Sequence, residues 1–211
     1  MTQSARIVLI DNVDSFSYNL VDELRQLGFP LVVYRNQLAA ADVIEQLESY
    51  SGPQLVCLSP GPGHPANAGN LMEVIRYCSG RIPMLGICLG FQALIEHAGG
   101  RVDTCGEIVH GKTAKIDTVP HPVFVSATDN NQCVVARYHS LSGYDLPSTV
   151  SIIASLDGPD GSIPMAAEFF GKEENNTNAI GFQFHPESLL TPKGKQLLSN
   201  SIQYLLTGAK P

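Results

Sequence analysis

Residues 84–98 read Met84-Leu85-Gly86-Ile87-Cys88-Leu89-Gly90-Phe91-Gln92-Ala93-Leu94-Ile95-Glu96-His97-Ala98. The short apolar run 84–87 suits a buried strand, and 89–98 suits a helix, so the chain turns from strand to helix at Cys88. Upstream the same alternation repeats. Residues 7–10, 31–34 and 55–58 are short apolar runs, and 18–27, 40–47 and 71–77 carry helical spacing. In the first of these helices Leu20, Val21, Leu24 and Leu27 share one face, and Gly28 ends it. Repeated strand-helix units predict an α/β fold with a mostly parallel central sheet and helices on both of its faces.

After Gly99-Gly100 the character changes. Residues 102–117, 133–137, 150–155, 165–169 and 180–184 read as strands between turn-rich segments, and 193–206 as a final helix. This half is expected to extend the sheet with antiparallel strands. Segments 129–132 and 172–178 read as solvated loops, because their Asp, Glu and Asn residues supply no core contacts. Neither an internal repeat nor a linker is evident, so residues 1–211 are read as a single domain.

Of 211 residues, 44% are apolar and 16% charged, the proportions of a globular protein able to bury a two-sided core. A net charge of −7 and a pI near 5.3, with no basic cluster, argue against nucleic acid or an anionic membrane as partner. The five cysteines are scattered and include no CxxC pair, which suggests neither a disulfide framework nor a zinc site. With no signal-peptide pattern and no apolar stretch near the ~20 residues that span a membrane, the cytoplasm is the expected location. No metal or cofactor is expected.

Chemistry concentrates at Gly86-Ile87-Cys88-Leu89-Gly90, which has the G-x-nucleophile-x-G spacing of a nucleophile elbow. Glycines relieve crowding in such a turn. The helix N-terminus favours thiolate over thiol at Cys88, and the Leu89 N–H faces the oxyanion formed on an attacked carbonyl. A cysteine between apolar neighbours is also an ordinary core residue, and spacing alone leaves both readings open. Phe182-Gln183-Phe184-His185-Pro186-Glu187 supplies a candidate base. Alternation puts His185 and Glu187 on one side, where a carboxylate on one ring nitrogen leaves the other free to move a proton. A plain strand exit is the competing reading. In Pro60-Gly61-Pro62-Gly63, after another buried strand, Gly63 N–H is a candidate second oxyanion donor, whereas Pro62 has no N–H to give. Loops at the carboxyl ends of parallel strands line one crevice, which ties the elbow and this loop together. The remaining histidines, His64, His97, His110, His121 and His139, lack ligand spacing and read as surface or satisfied core positions.

Together these segments resemble the class I, triad-type glutamine amidotransferases over nearly the whole chain, a family with a flavodoxin-like fold. Within it, Asp11-Asn12-Val13-Asp14-Ser15-Phe16, Tyr34-Arg35-Asn36, His110-Gly111-Lys112 and Tyr138-His139-Ser140-Leu141 are similar to the glutaminase subunits of anthranilate synthase and of aminodeoxychorismate synthase. The resemblance implies that Cys88 attacks the side-chain amide of glutamine, His185 relays the proton and Glu187 orients His185. It also implies that Gly61, Pro62, Gly63, Leu89, Gln92, Ser140 and Leu141 bind glutamine. Ammonia then passes to a chorismate-binding synthase subunit, for anthranilate formation in tryptophan biosynthesis or, alternatively, for folate synthesis. Two positions depart from the family's pattern: Phe91, where many relatives have histidine, and His64, where a small hydroxylic residue is frequent. A stand-alone cysteine hydrolase and a flavodoxin-like binding module are the other classes to weigh. The first shares the elbow but has no need of Gln92 and residues 138–141; the second needs no elbow at all.

Overall fold

Four consecutive apolar residues cannot alternate between core and water. In the computed structural model, which describes residues 4–106, 109–158, 161–171 and 177–208, Ile7, Val8, Leu9 and Ile10 are all fully buried. They lie in β1 (Arg6–Asp11), followed by α1 (Ser17–Gln26), β2 (Leu31–Arg35), α2 (Ala40–Glu48), β3 (Gln54–Leu58), α3 (Leu71–Cys78), β4 (Met84–Ile87) and α4 (Leu89–Ala98). Ile7 and Leu9 enter one apolar cluster while Val8 and Ile10 enter another, and β3 divides likewise into Leu55 and Cys57 against Val56 and Leu58. This is the signature of strands covered on both faces. Leu20 and Leu24 of α1 pack on the first face; Val43 and Leu47 of α2, Val74 and Ile75 of α3, and Leu94 and Ile95 of α4 pack on the second. Each fully buried aliphatic side chain contributes roughly 1.5–3 kcal/mol.

The rest of the chain forms β5 (Arg101–Thr104), β6 (Lys112–Thr118), β7 (Gln132–Arg137), β8 (Leu141–Tyr144), β9 (Val150–Gly158), β10 (Gly161–Phe170), β11 (Thr177–Phe182) and α5 (Gly194–Thr207). The main sheet runs β2-β1-β3-β4-β11-β10-β9-β6-β7, with β5 and β8 paired apart. Neighbours from β2 through β11 are parallel, and those from β11 through β7 are antiparallel. Beyond β10 the sheet is clothed on one side: Ile116, Cys133, Val135 and Ile153 are buried, while Lys115, Val134 and Ile152 face water. Leu197, Leu198 and Ile202 of α5 close the first face.

Several sequence expectations need correction. Residues 102–117 are not one strand. Gly106 and Gly111 take φ of +68° and +69°, left-handed conformations that break the run into β5 and β6 on different sheets. β8 was unanticipated because Leu141-Ser142-Gly143-Tyr144 lacks alternating apolar residues. β11 starts at Thr177, inside the segment read as a solvated loop, and stops at Phe182, short of Phe184; residues 172–176 lie outside the described residues. Segment 129–132, by contrast, is exposed as expected and forms a tight turn: Asn130 and Asn131 have φ of +50° and +59°, and Asp129 and Gln132 exchange backbone hydrogen bonds.

Candidate active site

β1, β3, β4 and β11 run parallel, so the segments leaving their carboxyl ends meet at one edge of the sheet. Cys88 sits there between β4 and α4, with φ +50° and ψ −99°, a strained conformation that costs of order 1–3 kcal/mol. The elbow glycines make that turn sterically feasible. A Cβ on Gly90 would lie 2.3 Å from Leu58 O, and one on Gly86 would lie 2.7 Å from Gly90 C and O. The Cys88 N–H donates to Phe182 O at 2.7 Å, fastening the elbow to the end of β11. Leu89 begins α4 immediately afterwards.

The 60–63 loop is held against the elbow. Asn12 N–H donates to Ser59 Oγ and Asn12 Nδ2 to Ser59 O, both at 2.8 Å, while Ser59 Oγ donates to Pro60 O at 2.7 Å. A Cβ on Gly61 would be 2.6 Å from Asn12 Cβ and from Leu89 Cδ2, so only glycine permits this approach. Gly63, at φ +78°, has open space on its Cβ side. Pro62 and Gly63 are exposed beside it.

His185 leaves β11 on a firmly anchored backbone. Its N–H donates to Ala136 O at 3.1 Å, and its carbonyl accepts from Thr191 Oγ1 at 2.7 Å. The ring Nδ1 stands 2.7 Å from Glu187 Oε1, and both side chains are buried. His185 Nε2 and Glu187 Oε2 have no hydrogen-bond partner among the described residues. Burial opposes a charged imidazolium, but the neighbouring Cys88 sulfur and the Glu187 carboxylate outweigh it and hold His185 well above the ordinary histidine range. Phe16 and Tyr138 pack on the ring, with centroids 5.4 and 5.1 Å away. Both lie in segments that carry the family resemblance, but sequence alone places neither against His185, since only the fold brings their segments onto the ring.

Gln92, one turn into α4, is buried and donates to Leu141 O at 3.3 Å and to Gln183 Oε1 at 3.2 Å. Leu141 is half-buried and Ser140 exposed. Gln183, fully buried, donates through Nε2 to Cys88 Sγ at 3.7 Å. The sequence showed Gln183 only as a strand residue. The two departures are structurally absorbed. His64 Nδ1 accepts from the Ala66 N–H and caps the short helical turn Pro65–Asn67, as a hydroxyl would. Phe91 is fully buried, and a Cβ on Gly181 would lie 2.3 Å from its ring.

A groove of about 810 Å³ near the end of α5, lined by Val119, His121, Phe124, Asn200 and Tyr204 among others, contains none of these residues. Among the described residues no cluster of three or more His, Cys, Asp or Glu is placed to hold a metal, and no helix is long and apolar enough to cross a membrane.

A buried cysteine at a strained elbow, faced by a carboxylate-paired imidazole and flanked by a glycine loop, is equipped for nucleophilic attack on a carbonyl. The family model described as glutamine amidotransferase class-I matches residues 8–204. The chain is 40% identical to anthranilate synthase component 2 of Vibrio parahaemolyticus over 202 residues, covering 96% of this chain and 97% of that protein. It is 42% identical to the protein of that name from Corynebacterium glutamicum (95% and 98% covered) and 41% to that from Haemophilus influenzae (96% and 98%). Two solved structures share the fold. A glutamine amidotransferase of Thermotoga maritima has a TM-score of 0.69 at 19% identity, with 97% of this chain and 99% of that one covered. A protein of Thermoplasma acidophilum, described as a GMP synthase subunit, has a TM-score of 0.79 at 20% identity, with 99% and 97% covered.

Proposed function

The chain belongs to the class-I glutamine amidotransferase family, and we propose that it is the glutaminase subunit of an anthranilate synthase, working as one domain over residues 1–211. Cys88 gives its thiol proton to His185 Nε2 and attacks the side-chain carbonyl carbon of glutamine. The oxyanion is received by the N–H groups of Leu89 and Gly63. Collapse breaks the C–N bond, and the His185 imidazolium returns the proton to the departing nitrogen, releasing ammonia and a γ-glutamyl thioester. Water then attacks the thioester with His185 as base, glutamate leaves, and the Cys88 thiol is regenerated. Glu187 fixes the ring with Nδ1 protonated and offsets the imidazolium charge. Gly61, Pro62, Gly63, Leu89, Gln92, Ser140 and Leu141 form the glutamine-binding side of the site, and no metal or cofactor takes part.

The observation that carries this reading is the buried His185–Glu187 pair, 2.7 Å apart, with Nε2 left free toward Cys88. Near-full-length identity of about 40% to proteins named anthranilate synthase component 2 supports the choice of partner, a chorismate-binding synthase subunit that receives the ammonia unprotonated. The chain should co-purify with that partner, and the pair should form anthranilate from chorismate and glutamine. Cys88→Ser should abolish the glutamine-dependent reaction and spare the ammonia-dependent one. Formation of aminodeoxychorismate instead would move the assignment to folate synthesis. A glutamine analogue with an electrophilic side chain should label Cys88 selectively. Burial pushes up the thiols of Cys57, of Cys78 to about 12 and of Cys133 to about 11, leaving them largely un-ionised near pH 7. Peptide mapping that placed the label on one of these would discard the nucleophile assignment.

A further inference from the structure

A chain of polar contacts runs from the end of β7 to the Cys88 sulfur, and its direction can be read one group at a time. The buried Arg137 guanidinium only donates, and its Nε lies 3.1 Å from His139 Nε2, so that nitrogen is the acceptor. The proton of His139 is therefore on Nδ1, which donates to Leu141 O at 2.9 Å. A carbonyl only accepts, so the end of the Gln92 amide 3.3 Å from Leu141 O is its NH2 group. That same NH2 lies 3.2 Å from the Gln183 amide, which must answer with its oxygen. The Gln183 NH2 is consequently turned to Cys88 Sγ at 3.7 Å. Oxygen and nitrogen of a side-chain amide are otherwise interchangeable in shape; here the Leu141 carbonyl, which can only accept, sets the polarity of Gln92 and through it that of Gln183, while Arg137 fixes the tautomer of His139.

Two backbone features aim Gln183 at the sulfur. The Cys88 N–H is bonded to Phe182 O, so elbow and strand end are fastened one residue away. β10 also carries an extra residue, Met165, between its pairings to Ser155 and Ala154, and Met165 O receives the Gln183 N–H at 2.9 Å. Bulges beside reactive sites commonly re-aim a side chain in this way.

From these contacts we propose that Gln183 is a further catalytic residue, its side-chain amide donating to the Cys88 sulfur, with Gln92 as the positioning residue that holds the amide in its donating orientation. The inference rests on Cys88 being the nucleophile. A hydrogen bond to sulfur favours thiolate over thiol, and it stabilises the same sulfur as the leaving group when water displaces it from the thioester. Nucleophilicity falls less than half as steeply as the ionised fraction rises, so the net effect before attack is faster reaction.

The test is alkylation of Cys88 by iodoacetamide in the full chain across pH, with peptide mapping, alongside glutamine hydrolysis. Gln183→Met keeps length and burial but has no donor. It should react about tenfold more slowly near pH 7 and match or overtake the unsubstituted chain above about pH 9.5, where an unassisted thiol is ionised anyway and its thiolate is the more nucleophilic. Gln183→Glu, with the shape of glutamine, puts a negative charge beside the sulfur and should show a larger deficit of the same pH form; it carries the test if methionine does not pack. Gln92→Leu should give a smaller deficit of that form. In hydrolysis by the two Gln183 variants, kcat should fall with KM for glutamine nearly unchanged. Alkylation equal to the unsubstituted chain at every pH, a deficit constant with pH, or a rise in KM at unchanged kcat would each overturn the proposal. Should Cys88 of the unsubstituted chain react no faster than the other cysteines, the nucleophile reading falls and this inference falls with it.

Discussion

Two His–Glu pairs, His121–Glu168 and His185–Glu187, differ in whether a ring nitrogen is left over. His121 and His185 are each followed by proline. In the groove near the end of α5, His121 Nδ1 accepts from the Val123 N–H and its Nε2 lies 3.4 Å from Glu168 Oε2, so both nitrogens are engaged. Glu168 is itself fully occupied, taking hydrogen bonds from Thr177 and Tyr204. His64 repeats the pattern, with Nδ1 capping Pro65–Asn67 and Nε2 3.4 Å from Glu96. At the elbow the arrangement is reversed: Glu187 takes Nδ1 of His185, and Nε2 has no partner among the described residues. A carboxylate beside a histidine is therefore no mark of a base. The mark is an imidazole whose second nitrogen is buried, free and next to a nucleophile.

Removing each ring in turn tests this contrast most severely. His185→Asn should lower kcat for glutamine hydrolysis about a hundredfold to ten-thousandfold, the range for losing a positioned proton carrier. His121→Asn should leave kcat within about twofold, because its ring is spent on structure. Steady-state glutamate release by the two variants decides it; comparable losses would dissolve the distinction. Next comes the carboxylate. Glu187→Gln retains an oxygen for the Nδ1–H but loses the charge opposite the imidazolium. A deficit of about 1–2 kcal/mol is expected, roughly five- to thirtyfold in kcat. A fall as deep as that of His185→Asn would mean that the amide turns its NH2 to the ring and loses the Nδ1-protonated tautomer along with the charge.

The two halves of the sheet were unequally legible. Runs such as Leu55-Val56-Cys57-Leu58 announce a strand buried on both faces, and the βα alternation then follows from connection rules. In the antiparallel half, burial on one face dilutes the pattern, and the left-handed glycines at 106 and 111 break a run that composition alone presents as continuous. The site divides in the same way. Spacing within one segment singles out Cys88 between Gly86 and Gly90, and His185 before Glu187. Gln183, Phe16 and Tyr138 escape it because their roles depend on contacts between segments that only the folded chain brings together. The free nitrogen that separates His185 from His121 is also a property of the fold, since both occur as His-Pro.

The smallest effect should come from Glu168→Gln, and it should appear in stability instead of rate. Burial opposes charge on Glu168, but hydrogen bonds from His121, Thr177 and Tyr204 outweigh it and hold the carboxyl below its usual value. A depressed folded-state value means that its stabilisation is present above the unfolded value, near 4.3, and is lost as pH falls through the lower folded value. Losing the charge from this partly buried network should cost about 0.5–1 kcal/mol near pH 7, with kcat unchanged. The cost should shrink below about pH 4, as the native carboxyl is itself protonated. His185 has the opposite sign. Its raised folded-state value contributes stability that is complete below the unfolded value, near 6.5, and is lost as pH rises through the folded one. Urea unfolding of the unsubstituted chain, Glu168→Gln and His185→Asn across pH should thus show the first gap closing toward acid and the second toward base. Two gaps that moved in the same direction would mean that the pairs are held by the same electrostatics after all, and the difference in their free nitrogens would lose its physical basis.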